Sequence, residues 1–143
     1  MTITVNDLQN MLQSELDELY KNSQTGIIPD GESKGTVIFA PGTSFSQNVS
    51  SIIKFLAWQG KIFYREKGYL LNKITPLNLE FVKAEVYLGK SWLDEGESII
   101  LDYSQTSFIA QKIRDEIREV VPNIYLGNAY WEKYRVLNFV LEF

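Results

Sequence analysis

The sequence contains no cysteine and no histidine. Disulfides and thiolate nucleophiles are therefore excluded. So are zinc sites built on His or Cys and His-ligated haem. A Ser–His–Asp triad cannot be assembled. Any acid–base chemistry must fall to Asp, Glu, Tyr, Lys, Arg or Ser. The lack of cysteine suits a cytoplasmic protein.

Charge of one sign is also missing as a block. The chain carries 14 Lys and Arg against 18 Asp and Glu, for a net charge of −4, and the two signs are interspersed. No basic stripe is present to neutralise phosphates, so neither nucleic acid nor polybasic membrane attachment is expected. No apolar run approaches the roughly 18 residues of a membrane span. The opening "MTITVNDLQNML" lacks the basic and apolar regions of a signal peptide, and none is expected. No glycine-rich loop follows a strand and opens a helix, so no flavin or nicotinamide is expected, and no other cofactor or metal.

What is present is apolar and aromatic. Over 143 residues, 45% are apolar and 13% aromatic, with eight Tyr, eight Phe and three Trp. That length predicts one domain, residues 1–143. The aromatics serve either as a large core or as the lining of a ligand cavity.

Hydrophobic period sets the outline. In "NDLQNMLQSELDELYKN", 6–22, Leu8, Met11, Leu12, Leu16, Leu19 and Tyr20 recur at helical spacing. Asn6 and Gln9 form a capping-box pattern, and Glu15, Asp17 and Glu18 form the outer face. The Gly- and Pro-containing stretch 23–45 reads as a loop around a short strand "TVIFA", 36–40. It is either a connector or a lid over a cavity mouth. Residues 46–59 return to helical period, with Gly60 as a stop. Beyond Gly60 the period becomes two. "KIFYRE" and "YLLNKI" form a hairpin turning near Gly68, and strands follow at 79–92, 97–104, 125–131 and 135–143. A helical turn at 105–112 interrupts them.

The plan is thus mainly β, with N-terminal helices and an antiparallel sheet. Closing that sheet into a barrel removes its exposed edges. An eight-stranded barrel can hold one small ligand.

One stretch resists this pattern. In "IRDEIREVVPNIYLG", 113–127, Arg114, Asp115, Glu116, Arg118 and Glu119 crowd together. As a helix over 106–120, Phe108, Ile109, Ile113, Ile117 and Val120 make the apolar face and the charges are solvated. As a strand over 113–121, with Pro122 and Asn123 in a type I turn, Val121 faces Ile124 and Val120 faces Tyr125. Some charges then point into the barrel, where they must be paired. Local periodicity slightly favours the helix.

"FLAWQGKIFY", 55–64, resembles the "W-x-G-K-x-F" stretch of small bacterial lipocalin-like domains named for a GXWXG motif. "LDYS…IRDEIREVVPNIYLG" resembles the end of their companion domain, with its "D-x-x-R-x-V" strand. The GXWXG signature itself is absent; the matching region reads "TGIIPDG". The resemblance implies a calycin-like barrel with an apolar interior and favours the strand reading of 113–121. It carries over no catalytic residue.

Three functions are compatible with these features. The first is binding of a small hydrophobic molecule. Trp58, Tyr87, Trp92, Tyr103, Tyr130 and Trp131 are the candidate lining residues, and Arg118 is the candidate partner for a carboxylate head. The second is a cofactor-free isomerase, cyclase or dehydratase. Its base would be Asp102 or Asp115, its acid Tyr103, and Glu119 stands on the same predicted face as Asp115. Asp102 and Tyr103 are adjacent on one strand, so only one of them points inward. The third is a scaffold that binds another protein, and a homodimer stays open.

Overall fold

The computed structural model describes residues 2–38, 58–74, 82–107 and 110–143. Among the described residues, two short helices, α1 (Val5–Gln9) and α2 (Gln13–Lys21), precede nine strands. These are β1 (Gly31–Glu32), β2 (Lys34–Ile38), β3 (Trp58–Tyr64), β4 (Tyr69–Ile74) and β5 (Lys83–Lys90), then β6 (Glu97–Asp102), β7 (Ile113–Val121), β8 (Ile124–Trp131) and β9 (Tyr134–Glu142). All pair antiparallel in one sheet of order β1-β3-β4-β5-β6-β7-β8-β9-β2.

The two ends of that order are neighbours in the chain. Only Ser33 separates β1, which pairs with β3, from β2, which pairs with β9. One bent strand thus joins both edges and brings the sheet round into a nearly closed barrel. The segment 23–45, expected to be mostly loop, holds this closing strand. Ser33 clamps the seam: its N–H (2.9 Å) and hydroxyl (2.7 Å) donate to Lys61 O, and its Oγ accepts from Lys61 N at 3.0 Å.

The inner face carries one phase of each strand. Phe63, Leu70, Ala84, Val86, Ile99, Leu101, Ile117, Leu137, Phe139 and Leu141 form the core there. A second cluster lies on the outer face, where Leu8, Leu16 and Tyr20 of the helices cover Ile38, Leu126 and Val140. β8 and β9 are consequently buried on both faces, so their sequences read as nearly continuous apolar runs.

Several expectations are corrected. The single helix expected over 6–22 is two. Asn10 ends the first and hydrogen-bonds Asn6 O through its side chain at 2.8 Å; Glu15 Oε1 accepts from Leu12 N at 2.9 Å and starts the second. The capping box at the first start is Thr4 with Asp7, not Asn6 with Gln9. Leu12 is 53% exposed, while Asp17 is half-buried in an ion pair with Arg135 at 2.7 Å. The helix expected over 46–59 lies outside the described residues except for Trp58 and Gln59, which are strand. Residues 39–45 and 75–81 also lie outside them, with the expected strand ends there, and so do Phe108 and Ile109.

The charged stretch is strand. Its turn differs from expectation: Asn123 has φ 67°, the left-handed value of a type II turn rather than type I. The register differs too. Val121 faces Ile124, but Glu119 rather than Val120 faces Tyr125. A bulge at Val120 absorbs one residue, and a one-residue slip moves every partner to the other face. Asp115, Ile117 and Glu119 therefore share a face with Ala129, Gly127 and Tyr125.

Gly60 sits at the seam with φ 142°, and a Cβ there would strike Ser33 O. Gly60→Ala is expected to destabilise the fold by more than about 1 kcal/mol, because neither backbone can yield without opening the seam. Urea unfolding midpoints of the two proteins measure this.

Candidate functional site

A polar cluster sits inside the barrel among the aromatics. β3 places Lys61 on the inner face beside Phe63, and β4 places Asn72 there beside Leu70. Tyr103 follows β6 in phase with Ile99 and Leu101, and Asp115 lies inward on β7. Relative exposures are 3% for Lys61, 5% for Asn72, 2% for Tyr103 and 4% for Asp115.

Lys61 Nζ holds the cluster together. It donates to Tyr103 OH at 2.6 Å and Asn72 Oδ1 at 2.8 Å, and pairs with Asp115 Oδ2 at 3.2 Å. Asn72 Nδ2 donates to Tyr103 OH and to Val82 O, both at 2.8 Å, and Trp58 Nε1 donates to Asn72 Oδ1 at 2.9 Å. Tyr103 OH donates to Asp115 Oδ2 at 3.4 Å. The ammonium also stands 5.3 Å from the ring centroids of Tyr103 and Phe139 and 5.4 Å from that of Trp58, within cation–π range. Asp115 Oδ1 is buried and has no hydrogen-bond partner among the described residues.

The three titratable groups of the cluster are all shifted upward from their ordinary values. Burial raises the Asp115 carboxyl above the ordinary carboxylate range, against the opposing pull of Lys61. Burial likewise raises the Tyr103 hydroxyl, again against Lys61. For Lys61 burial acts to lower the value, but Tyr103 and Asp115 outweigh it and hold the ammonium above its usual range.

The candidate residues divide between the two sides of the wall. Inside are Tyr103 and Asp115, with Trp58 and Trp131 half-buried against the same core. Asp102 points outward, where it accepts from Tyr87 OH at 2.7 Å and Ser104 Oγ at 2.6 Å. Glu119 shares the inward phase of Asp115 but lies four residues along, roughly 13 Å away; it accepts from Asn123 N at 3.0 Å at the hairpin end. Tyr87 and Trp92 are 42% and 47% exposed on the outer surface. Tyr130 also faces outward, edge-on to Trp92 and hydrogen-bonded to Glu116 at 3.3 Å.

Arg118 is outside the barrel, three residues from Asp115 and so on the opposite face. It is 3% exposed beneath α2. Its guanidinium pairs with both Asp94 oxygens at 2.7 and 2.8 Å and donates to Ser98 Oγ, Glu97 O and Tyr20 O. Glu116, fully buried, accepts there from Ser91 Oγ at 3.0 Å and Trp92 N at 3.1 Å. This outer network ties α2 and the 91–96 turn to the barrel. The expectation that Arg118 meets a ligand inside the barrel is corrected.

Sequence reasoning missed Lys61 and Asn72. Their signal was phase: each is two residues from an inward apolar side chain, Phe63 or Leu70. Among the described residues, no group of three or more Asp or Glu stands where it could hold a metal, and no helix is long and apolar enough to cross a membrane.

No family model matches the chain, and no curated protein matches it. A crystal structure of a protein from Thermomonospora curvata is similar, with TM-score 0.63 and 18% identity over 91% of this chain and 86% of that one. At that identity the likeness shows the fold alone: a β-barrel built largely of antiparallel strands.

Two predictions follow from the cluster's protons and charges. Above pH about 10, unfolded tyrosines and lysines lose protons that the folded state keeps. Lys61 and Tyr103 behave so, as do Tyr87 and Tyr125, each pushed up to about 12, chiefly by burial. The folded state then binds more protons than the unfolded, so stability falls with rising pH. Urea midpoints taken from pH 8 to 11.5 are expected to decline beyond pH 10. Separately, Lys61→Met strands a buried carboxylate and is expected to cost about 3–5 kcal/mol. The double variant Lys61→Met/Asp115→Leu removes both charges and should recover most of that loss. A double variant no more stable than the single one would show that the pair is needed for folding.

Proposed function

We propose that the barrel interior binds a small, largely apolar molecule. The observation that carries this reading is the buried Asp115 oxygen, without a hydrogen-bond partner among the described residues, within an aromatic interior. A core that serves stability alone gains nothing from a buried ion pair, because desolvation offsets its attraction. An open hydrogen-bonding position inside an apolar enclosure is what ligand sites generally present. On the same inner face Ala129, a cross-strand neighbour of Asp115, contributes only a methyl group. A calycin-like barrel of the GXWXG type fits this reading.

A second reading is supported by the approach of Tyr103 OH to Asp115 Oδ2 at 3.4 Å. A carboxyl raised by burial and an adjacent phenol are the parts of a cofactor-free isomerase, cyclase or dehydratase, with Asp115 as base and Tyr103 as acid. Asp102 and Glu119 belong to neither reading.

Native mass spectrometry of the purified protein, with an organic extract analysed alongside, tests for a co-purifying molecule. Titration with Nile red, a neutral apolar dye, tests for the site directly. Saturable one-to-one uptake with a blue shift is expected. Ala129→Leu, with its fold checked by circular dichroism, should reduce uptake at least about tenfold by setting a larger side chain opposite Asp115. Absence of saturable uptake, or uptake indifferent to that variant, would overturn the binding reading.

A further inference from the structure

The polar cluster has a direction that follows from counting its donors and acceptors. The Lys61 ammonium has three protons, directed at Asn72 Oδ1, Tyr103 OH and Asp115 Oδ2. Both protons of the Asn72 amide go to Val82 O and Tyr103 OH, and its oxygen accepts from Trp58 and Lys61. The Tyr103 oxygen accepts from Lys61 and Asn72 and sends its own proton to Asp115 Oδ2. That exhausts the ordinary hydrogen-bonding capacity of Asn72, Lys61 and Tyr103. With Asp115 ionised beside the Lys61 ammonium, what remains is Asp115 Oδ1, an acceptor. Among the cluster's side chains no donor is left over.

We infer that the barrel interior recognises a neutral hydrogen-bond donor, the hydroxyl of an otherwise apolar alcohol or phenol, through Asp115 Oδ1, and that it discriminates against carboxylates. This rests on the binding reading above and names the chemical class of its ligand. A hydroxyl supplies the missing proton and completes the network with a charge-assisted hydrogen bond. A carboxylate brings a second negative charge beside Asp115 and finds no free donor, so it enters as an unpaired buried charge. Arg118 cannot compensate, because its guanidinium is tied to Asp94, Ser98 and backbone carbonyls on the outer side of the wall. An ammonium ligand reaching Oδ1 meets Lys61, already 3.2 Å from the same carboxylate. The charges of Lys61 and Asp115 cancel, so the interior suits a neutral guest.

The test is a matched series on two apolar frames. It comprises 1-decanol, decyl methyl ether and decanoate, and 2-naphthol, 2-methoxynaphthalene and 2-naphthoate, each measured by calorimetric titration and by displacement of Nile red. On at least one frame the hydroxyl compound is expected to bind about tenfold or more tighter than its ether, the range of a hydrogen bond to a charged group, with the carboxylate weakest. In Asp115→Asn, the amide oxygen turns to Lys61 and the amide N–H faces the ligand. The preference should then swing to acceptors such as 2-decanone. The double variant Lys61→Met/Asp115→Leu should bind alcohol and ether alike. Equal affinity of alcohol and ether for the unaltered protein, as would follow if an internal water already satisfied Oδ1, overturns the inference and leaves the binding reading standing. Tightest binding of a carboxylate overturns it as well. No saturable binding of any compound, together with no Nile red uptake, overturns both.

Discussion

Barrel closure and the interior cluster depend on one contact, the clamp between Ser33 and Lys61. Ser33 is the break in the bent strand that joins both edges of the sheet. It takes both backbone polar groups of Lys61. A strand at the end of an open sheet would leave such groups to solvent or to a neighbouring chain. Here their satisfaction fixes the backbone that aims the Lys61 side chain into the barrel. Gly60, directly before it, lacks the Cβ that would collide with Ser33 O. Closure of the fold and placement of its only buried ammonium among the described residues are therefore one structural event. A change that loosens the seam also misplaces the charge.

A second constraint acts on β7, which carries five charged side chains through a wall buried on both faces. Alternation separates them. Arg114, Glu116 and Arg118 go outward, and Asp115 goes inward with Ile117. Outward does not mean solvated, because α2 and the 91–96 turn cover Glu116 and Arg118. The outer group survives burial by saturation: Arg118 and Glu116 each meet several polar partners. Two polar clusters thus share one strand, one closed and structural, the other left with an open oxygen. That difference in completeness, rather than charge itself, separates scaffold from candidate site.

Much of the barrel was legible in the sequence. The period of two after Gly60 marks β3 to β6, and Leu137, Phe139 and Leu141 line the core as their spacing implies. What could not be read was set by tertiary contact. Helical periodicity over 106–120 lost because Ile117 and Asp115 pair with β6 and β8, interactions invisible to a local pattern. The Val120 bulge reversed the cross-strand partners, and nothing in "EVVPNI" announces it. The helix break at Asn10–Leu12 depends on capping by Asn10 and Glu15, whose residue types also suit a continuous helix. Of the site, Trp58, Tyr103 and Asp115 were readable as candidates, whereas Lys61 reads as a solvated lysine unless its phase with Phe63 is weighed. The stretch "WQGKIF" nonetheless contains the indole that holds Asn72, the glycine of the seam, the lysine of the cluster and a core phenylalanine.

The binding and acid–base readings diverge on where a negative charge could rest. Proton abstraction next to a carbonyl builds charge on an oxygen, and catalysis requires donors aimed at that oxygen before the reaction begins. In this cluster the donors of Lys61, Asn72 and Tyr103 already face one another, Asp115 Oδ2 or a backbone carbonyl. Freeing one for a substrate oxygen would mean breaking a hydrogen bond inside a low-dielectric interior, at a cost that opposes the barrier lowering it supplies. An acceptor site faces no such conflict, since Asp115 Oδ1 gains a partner and loses none. The geometry that makes the cluster a weak stabiliser of oxyanions is the same geometry that leaves an acceptor for the hydroxyl group we propose as its partner.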